Sequence, residues 1–394
     1  MKIVQINATC GSGSTGKICL AVSKLLSAEG IENYILYTQG TSDDPLAIRY
    51  AGKCYTKLQA LLSRILGNYG FNSRIATLRL LRQLKRIGPD IVHIHNIHSH
   101  DCHLGMLLRF LKKASIRVVW TFHDCWAFTG LCTQFDFAGC TRWKTGCGNC
   151  PQRVQRSWFF DRSATLWRRK RQLLTALDLT VVTPSKWLAN MVKQSFLQDK
   201  PVYVMGHGID LTVFRPTSSD FAARHGCGDK HIILGVAFHW DDRKGLDVFV
   251  ELARRLGPEY QIVLVGTDAS VAARLPANIL SIHRTQNQQE LAQIYSSADV
   301  LVNPTREDTY PTVNMEALAC GTPVLTFATG GSPEMLDATC ACVVDRDDLD
   351  ALTQQIHRIC QDKPYSQAAC LRHSEDFDED ARFAQYLQLY RGLL

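Results

Sequence analysis

The feature that constrains this chain most is a twice-repeated alternation of short apolar runs with segments of helical spacing. Lys2–Asn7 reads as a strand, Gly11–Gly16 as a Gly/Ser loop, Lys17–Glu29 as a helix and Asn33–Thr38 as a second strand, which is a βαβ opening. Residues 58–87 carry Leu and Ile at helical spacing as two stretches, stopped by Pro89. Asp90–His95, Arg117–Phe122 and Leu179–Thr183 read as strands, with helices at Cys102–Lys113 and Ser185–Ser195. Val202–Pro216 reads as a strand followed by an irregular connector, after which the alternation restarts. Strands are then predicted at His231–Ala237, Gln261–Gly266, Val300–Asn303 and Val324–Phe327. Helices fall at Gly245–Leu256, Gln288–Ser296, Thr312–Ala319, Asp348–Ile359 and Ala381–Tyr390. Strands nearly continuous in Val and Ile have no polar face, so they predict parallel sheets covered on both sides. The reading is α/β: two doubly wound units joined by a hinge near residues 205–230. Ligands of such sheets bind beyond the C-terminal strand ends, here in a cleft where two units would face each other.

A chain of 394 residues, 46% hydrophobic and 21% charged, has enough apolar surface for such cores and excludes wholesale disorder. No run reaches the roughly 18 apolar residues of a membrane span. The start, MKIVQINATCGSG, lacks a signal-peptide pattern, so a soluble cytosolic protein with reduced thiols is expected despite 15 cysteines. The net charge of +7 hides an asymmetry. Residues 1–200 hold 28 Lys+Arg against 11 Asp+Glu, whereas residues 201–394 hold 16 against 26. A basic first half suggests an anionic partner such as a membrane face or a lipid diphosphate. No nucleic-acid recognition module is visible, so nucleic acid is not expected.

Cys10–Lys17 satisfies both G-x-G-x-x-G and G-x-x-x-x-G-K. A nucleoside-triphosphatase loop needs Ser or Thr where Ile18 stands, and a dinucleotide site needs an acid where Thr38-Gln39-Gly40 stands. What survives is a small-residue turn at a helix N-terminus, with Gly13 and Gly16 placed to let a phosphate or sugar approach. His93, His95, His98, His100 and His103 cluster beyond a strand end as polar lining rather than as a metal set. His123 closes a further strand, where it can handle protons.

Ala127–Gln152 has little periodicity. Its Cys132, Cys140, Cys147 and Cys150 could close a structural Zn²⁺ site, with buried unliganded thiols as the alternative. Trp158-Phe159-Phe160 and Trp167-Arg168-Arg169-Lys170-Arg171 pair aromatics with cations, as a membrane-interface contact would. In the second half, Arg243 and Lys244 precede a helix and suit a diphosphate. Asp308 follows a strand, and Glu316 lies eight positions on within the next helix. Together they could bond two hydroxyl-rich parts of one ligand.

The stretch Pro304–Val324 resembles the E-x7-E signature of family 4 retaining glycosyltransferases, which have the GT-B fold. His207-Gly208-Ile209-Asp210 with Phe214-Arg215-Pro216 resembles that family's interdomain connector, Gly13–Gly16 its N-terminal loop and Phe122-His123 its strand-end histidine. The Cys-rich loop, residues 125–152, resembles a branch that builds colanic acid or related bacterial surface polysaccharides. The resemblance implies two Rossmann-like domains facing across a cleft. An acceptor domain would span residues 1–205 and a donor domain residues 206–380, with a last helix at about 381–394 packing back on the first.

By position, Glu316 would hold the nucleotide ribose, Asp308 the donor sugar, and Lys244 with Arg243 the diphosphate. Glu307 neighbours the first acid, Thr309, Tyr310, Pro311 and Thr312 would present backbone groups, and His123 would meet sugar or acceptor. Three departures from the family pattern stand out: Asp at 308 for Glu, His207 for Asn, and His239 for a cation five positions before the lysine. The implied activity is hexosyl transfer from a nucleotide-diphosphate sugar to a lipid-linked, undecaprenyl diphosphate-type glycan in exopolysaccharide, capsule or O-antigen synthesis. It would take place at the inner face of the cytoplasmic membrane with no catalytic cofactor.

Overall fold

The computed structural model describes residues 1–394, which divide into two compact units: residues 1–206 with 382–394, and residues 207–381. The first contains β1 (Lys2–Ile6), α1 (Gly13–Ala28), β2 (Glu32–Tyr37), β3 (Ala47–Arg49), α2 (Lys53–Leu66), α3 (Arg74–Ile87), β4 (Ile91–Ile94) and α4 (Leu104–Lys113). It continues with β5 (Arg117–Thr121), α5 (Arg153–Arg156), α6 (Ser163–Thr175), β6 (Leu179–Thr183), α7 (Lys186–Lys193) and β7 (Val202–Val204). The second contains α8 (Phe221–Arg224), β8 (His231–Val236), α9 (Leu246–Arg255), β9 (Tyr260–Val265), α10 (Ala269–Ala272), β10 (Ile279–Ile282), α11 (Gln288–Ser296) and β11 (Val300–Asn303). α12 (Thr312–Ala319), β12 (Val324–Phe327), β13 (Ala341–Val344), α13 (Leu349–Asp362) and α14 (Gln367–Ser374) follow, and α15 (Glu379–Leu393) ends the chain.

In the first unit seven parallel strands pair in the order β3-β2-β1-β4-β5-β6-β7. Successive strands add outward from β1 and then restart on its other side with β4. At that reversal the loops after β1 and β4 leave in opposite directions and open a crevice. Both sheet faces are buried. One packs Val4, Val92, Trp120 and Val181 against Leu80, Leu84, Leu107 and Leu111. The other packs Ile3, Ile91, Val119 and Val182 against Ile18, Val22 and Leu26 of α1 and Phe383, Tyr386 and Tyr390 of α15. Each such aliphatic side chain contributes about 1.5–3 kcal/mol relative to exposure.

A polar key sits within the second face. Buried His93 meets Thr121 Oγ1 (2.8 Å) through Nε2 and the Tyr390 hydroxyl (2.6 Å) through Nδ1, and the Tyr386 hydroxyl meets Thr121 Oγ1 (3.0 Å). These bonds fix the register of the last helix on the sheet, which apolar contact alone would leave loose.

The second unit repeats the plan with six parallel strands, order β10-β9-β8-β11-β12-β13, reversing between β8 and β11. Its faces carry separate cores, one around Leu234, Val263, Leu301 and Met315, the other around Ile233, Leu264, Val302 and Phe249. α12 is buried on nearly all sides, which is why its sequence, TVNMEALA, shows no polar stripe.

The structure adds the short strands β3, β10 and β13 to the sequence reading. All three flank their sheets, where half-exposed residues pair through backbone alone and leave little apolar signal. α1 starts at Gly13, so Gly13 and Gly16 lie in its first turn rather than in the preceding loop.

The segment between β5 and α6 has almost no regular structure. It is held by Phe135 stacked on Trp143 (4.6 Å between centroids), Phe128 edge-on to Trp143 (5.4 Å), and the buried Lys170 of α6. Lys170 Nζ donates to the carbonyls of Trp126 (2.6 Å) and Thr129 (3.0 Å) and stands 3.7 Å from the Trp126 ring centroid. Burial pulls its pKa down to about 7, opposed by Cys132, Cys147 and Asp124. Replacing Lys170 by Ala strands two buried carbonyls and opens a cavity. It is expected to destabilise the protein by about 2–4 kcal/mol in chemical denaturation. A loss under about 0.5 kcal/mol would show that the segment is ordered without it.

Candidate functional site

In the second unit the loops at the strand-order reversal are stitched together by backbone and charge. The Arg306 amide donates to the Arg243 carbonyl (2.9 Å), joining the loop after β11 to the loop after β8. The Arg306 side chain is buried and fully engaged. Its Nη1 and Nη2 donate to the two carboxylate oxygens of Asp247 (2.7 and 2.8 Å), its Nε to Asp347 (2.6 Å), and Nη1 also to the Asp242 carbonyl. A bidentate pair of this kind is rigid as well as strong.

On that base, Lys244 Nζ donates to Asp308 Oδ2 at 2.6 Å, and the Tyr310 amide donates to Asp308 Oδ1 at 3.2 Å. The pair is about one-fifth exposed, so it is screened less than a surface ion pair yet still reachable from solvent. The Gly331 amide donates to the Asp308 carbonyl (3.1 Å), and a Cβ at Gly330 would collide with that same carbonyl oxygen. Gly330 has a φ of +55°, so only glycine fits there without strain.

His207 lies beside this group, edge-on to the Tyr310 ring at 6.0 Å. Burial holds its pKa down at about 4 despite the opposing charge of Asp308. Thr309, Tyr310 and Pro311 are buried and lead into Thr312, the first residue of α12. No side chain caps that helix, so its first amides and the positive end of its dipole face the Asp308 loop.

Glu316 is on α12, where the buried Tyr295 hydroxyl of α11 donates to its Oε2 at 2.9 Å. The Tyr295 carbonyl in turn accepts from Thr322 Oγ1 (2.6 Å), so the phenol that orients the carboxylate is itself anchored. Glu307 is buried next to Asp308, and Arg243 is more exposed, its Nε 3.7 Å from Asp241. Lys244, Asp308, Thr309, Tyr310, Pro311 and Thr312 therefore share one loop system, with Glu316 one turn into its helix.

In the first unit the corresponding reversal carries a histidine chain. His123 Nε2 lies 3.1 Å from His95 Nδ1, and His95 Nε2 lies 3.2 Å from Gln5 Oε1. The Gln5 amide nitrogen donates to the Cys19 carbonyl (2.9 Å), which leaves Oε1 as the acceptor. His95 must then carry its proton on Nε2 and accept on Nδ1, so His123 donates through Nε2. Of the two glycines placed here from sequence, Gly13 has open space where a Cβ would project. Gly16 is required by packing, since its Cβ would strike Thr9 Oγ1.

The other histidines serve the scaffold. His98 Nε2 pairs with Asp124 Oδ2 (2.7 Å), His103 caps α4, and His93 keys α15 to the sheet. Cys132, Cys140, Cys147 and Cys150 lie in one loop, where their thiols act electrostatically on one another. No three His, Cys, Asp or Glu side chains stand close enough to share an ion. Burial pushes the Cys132 thiol up to about 12 and the Cys147 thiol to about 11. The aromatic cluster and Lys170 hold the loop.

Tyr295, Gln5 and Arg306 are neighbours of these residues that sequence reading missed, and it named His95 as polar lining without its contact to His123. The strand register that aligns Ile94 with Trp120 brings His95 and His123 together, and spacing along one strand could not show it.

Two all-parallel sheets of this strand order, each with its charged or histidine-bearing loops at the reversal, match the GT-B fold. Residues 16–213 match the family described as Glycosyltransferase Family 4, and residues 230–362 match Glycosyl transferases group 1. The chain belongs to glycosyltransferase family 4. It is 24% identical to the putative colanic acid biosynthesis glycosyl transferase WcaC of Escherichia coli (strain K12), over 90% of each chain. It is 22% identical to a D-inositol 3-phosphate glycosyltransferase of Mycobacterium sp. (strain JLS), over 93% of this chain and 83% of the relative. Among solved structures it is similar in fold to sucrose-phosphate synthase of Thermosynechococcus elongatus, with TM-score 0.74, 20% identity, and 100% and 98% of the two chains covered. It is also similar in fold to Anabaena HepE in complex with UDP-glucose, with TM-score 0.68, 12% identity and full coverage of both.

Burial keeps His93 near pKa 3 and His100 and His207 near 4, against about 6.5 for an unfolded histidine. Between pH 6.5 and about 4 the unfolded chain binds the extra protons. Their stabilising contribution is complete above pH 6.5 and declines as pH falls through that window. The melting temperature is expected to fall steadily from pH 7 to 4.5, with a shallower slope for His207→Asn. A flat profile would contradict the buried neutral histidines.

Proposed function

We propose that this glycosyltransferase moves a hexosyl unit from a nucleotide-diphosphate sugar to a lipid-linked glycan, with retention at the anomeric carbon. The observation that carries the reading is the 2.6 Å Lys244–Asp308 contact beside the uncapped N-terminus of α12. A cation and a row of backbone amides suit a diphosphate, and a carboxylate between them suits sugar hydroxyls. Glu316, oriented by Tyr295, would accept from the ribose hydroxyls. Anabaena HepE is described with UDP and UDP-glucose, and WcaC as a colanic acid biosynthesis enzyme, which supports a nucleotide sugar donor and a polysaccharide product.

In this reading the bond from anomeric carbon to β-phosphate oxygen breaks as the acceptor oxygen attacks the same face. The acceptor proton passes to the departing phosphate. Lys244 exchanges Asp308 for the developing phosphate charge, the largest single contribution asked of the protein, with Arg243 assisting from the rim. His123, held by His95, would orient an acceptor or donor hydroxyl.

An anionic membrane surface is the setting this reading requires for a lipid-linked acceptor. Trp158, Phe159 and Phe160 are 43%, 66% and 49% exposed, with Arg64 over the Trp158 ring (5.8 Å) and Arg162 over the Phe160 ring (5.5 Å). No helix is long and apolar enough to cross a membrane. A peripheral contact through these rings and cations is the form of attachment proposed.

A screen of nucleotide sugars for thermal stabilisation tests the donor site. One donor is expected to raise the melting temperature, and Lys244→Ala to abolish the shift without unfolding the protein. Glu316→Ala is expected to lower transfer at least about 100-fold, and Tyr295→Phe to weaken donor binding by a smaller factor. Full turnover by Glu316→Ala would overturn the assignment. Trp158→Ser with Phe159→Ser is expected to reduce sedimentation with phosphatidylglycerol vesicles while leaving donor stabilisation intact.

A further inference from the structure

A cavity of about 500 Å³ opens in the helical layer of the first unit, bounded by the start of α3, the length of α4 and the second half of α6. Its polar lining is Arg74, His103, Arg109, Lys112, Arg169 and Gln172; its floor is Phe71, Leu108, Leu173 and Ala176. No acidic residue lines it, and none of the four cations takes part in an ion pair. We propose that this cavity is a binding site for a phosphate-bearing ligand, distinct from the donor-binding residues of the second unit.

Three observations support it. First, the cations converge on one point. Burial lowers the pKa of the His103 imidazole, and the charges of Arg74, Arg109 and Arg169 all lower it further. Like charges gathered around a cavity repel one another, a cost that a bound anion removes. Second, Arg74 stands against local preference. It is the first residue of α3, whose first turn has no acid and no side-chain cap, so a cation is added where the helix dipole is already positive. Helix formation gains nothing from this placement, whereas a phosphate at that end gains both the amides and the guanidinium. Third, the donors are built in. His103 Nδ1 accepts from the Met106 amide (3.2 Å), which leaves the proton of the neutral ring on Nε2 as a donor. The Arg169 guanidinium is held over the Phe71 ring at 5.8 Å and that ring is edge-on to His103 at 5.6 Å. The cavity is within the size range of small-ligand sites, and its mixed lining suits a phosphate joined to an apolar group as well as a free one.

The test uses full-length protein carrying Lys244→Ala, so that phosphate binding at the donor residues does not contribute. Inorganic pyrophosphate and monomeric dihexanoyl phosphatidic acid are each titrated by calorimetry, with and without the added pair Arg109→Gln and Arg169→Gln. At least one probe is expected to bind the parent and to lose about 10- to 100-fold in affinity in the paired variant. Tighter binding of pyrophosphate identifies a soluble phosphate as the natural source, and tighter binding of the lipid identifies a headgroup. Without ligand, the paired variant is expected to melt at the same or a higher temperature, because like-charge repulsion is relieved. The His103 ring, followed by NMR, is expected to titrate at higher pH when the probe is bound. If neither probe binds the parent, or both bind parent and paired variant equally, the proposal is overturned.

Discussion

Parallel strands cannot be joined by tight turns, and every other feature of this chain depends on that constraint. Each strand must be followed by a crossover that returns the chain to the same end of the sheet. All C-terminal strand ends therefore gather on one edge, and so do the loops that leave them. Where the order reverses, between β1 and β4 and again between β8 and β11, neighbouring crossovers run to opposite faces and leave a gap that backbone does not fill. The histidine chain of the first unit and the Lys244–Asp308 contact of the second both occupy such gaps. The fold sets where chemistry can sit, and the side chains decide what it is.

What keeps these loops in place is polar and largely buried. Arg306 links the loops after β8 and β11 to Asp247 at the start of α9 and to Asp347 before α13. Asp308 is then held from three directions, by Lys244, by the Tyr310 amide and through the Gly331 amide on its carbonyl. In the first unit, His93 and two tyrosines do similar work for the last helix. A loop supported in this way meets a ligand with little reorganisation, which is what electrostatic stabilisation of a leaving group demands.

The inner strands and long helices were legible in the sequence because burial on both faces writes itself as Val/Ile runs. β6, β11, β12, α11 and α12 fall on the residues read from pattern alone. The flanking strands β3, β10 and β13 were not legible, since pairing through the backbone leaves no periodic mark. Of the site, Lys244, Asp308 and Glu316 could be named from spacing and resemblance. Tyr295 and Arg306 could not, because their partners lie 21 and at least 41 positions away and become neighbours only through the sheet order. The packing of the cysteine loop was illegible for a related reason: it involves tryptophans and one buried lysine, neither of which leaves a spacing signature.

The histidine chain of the first unit ends on an amide. Gln5 accepts a hydrogen bond through its oxygen, but a carboxamide is not a base at ordinary pH and has no route to take a proton onward. The chain therefore behaves as a dead-end wire: it sets the orientation of His123 and gives protons no passage inward. A single carboxylate in place of that amide would turn an orienting device into a charge reservoir beneath the sheet. The neutrality of one interior side chain thus leaves the chain to align His123 and store no charge.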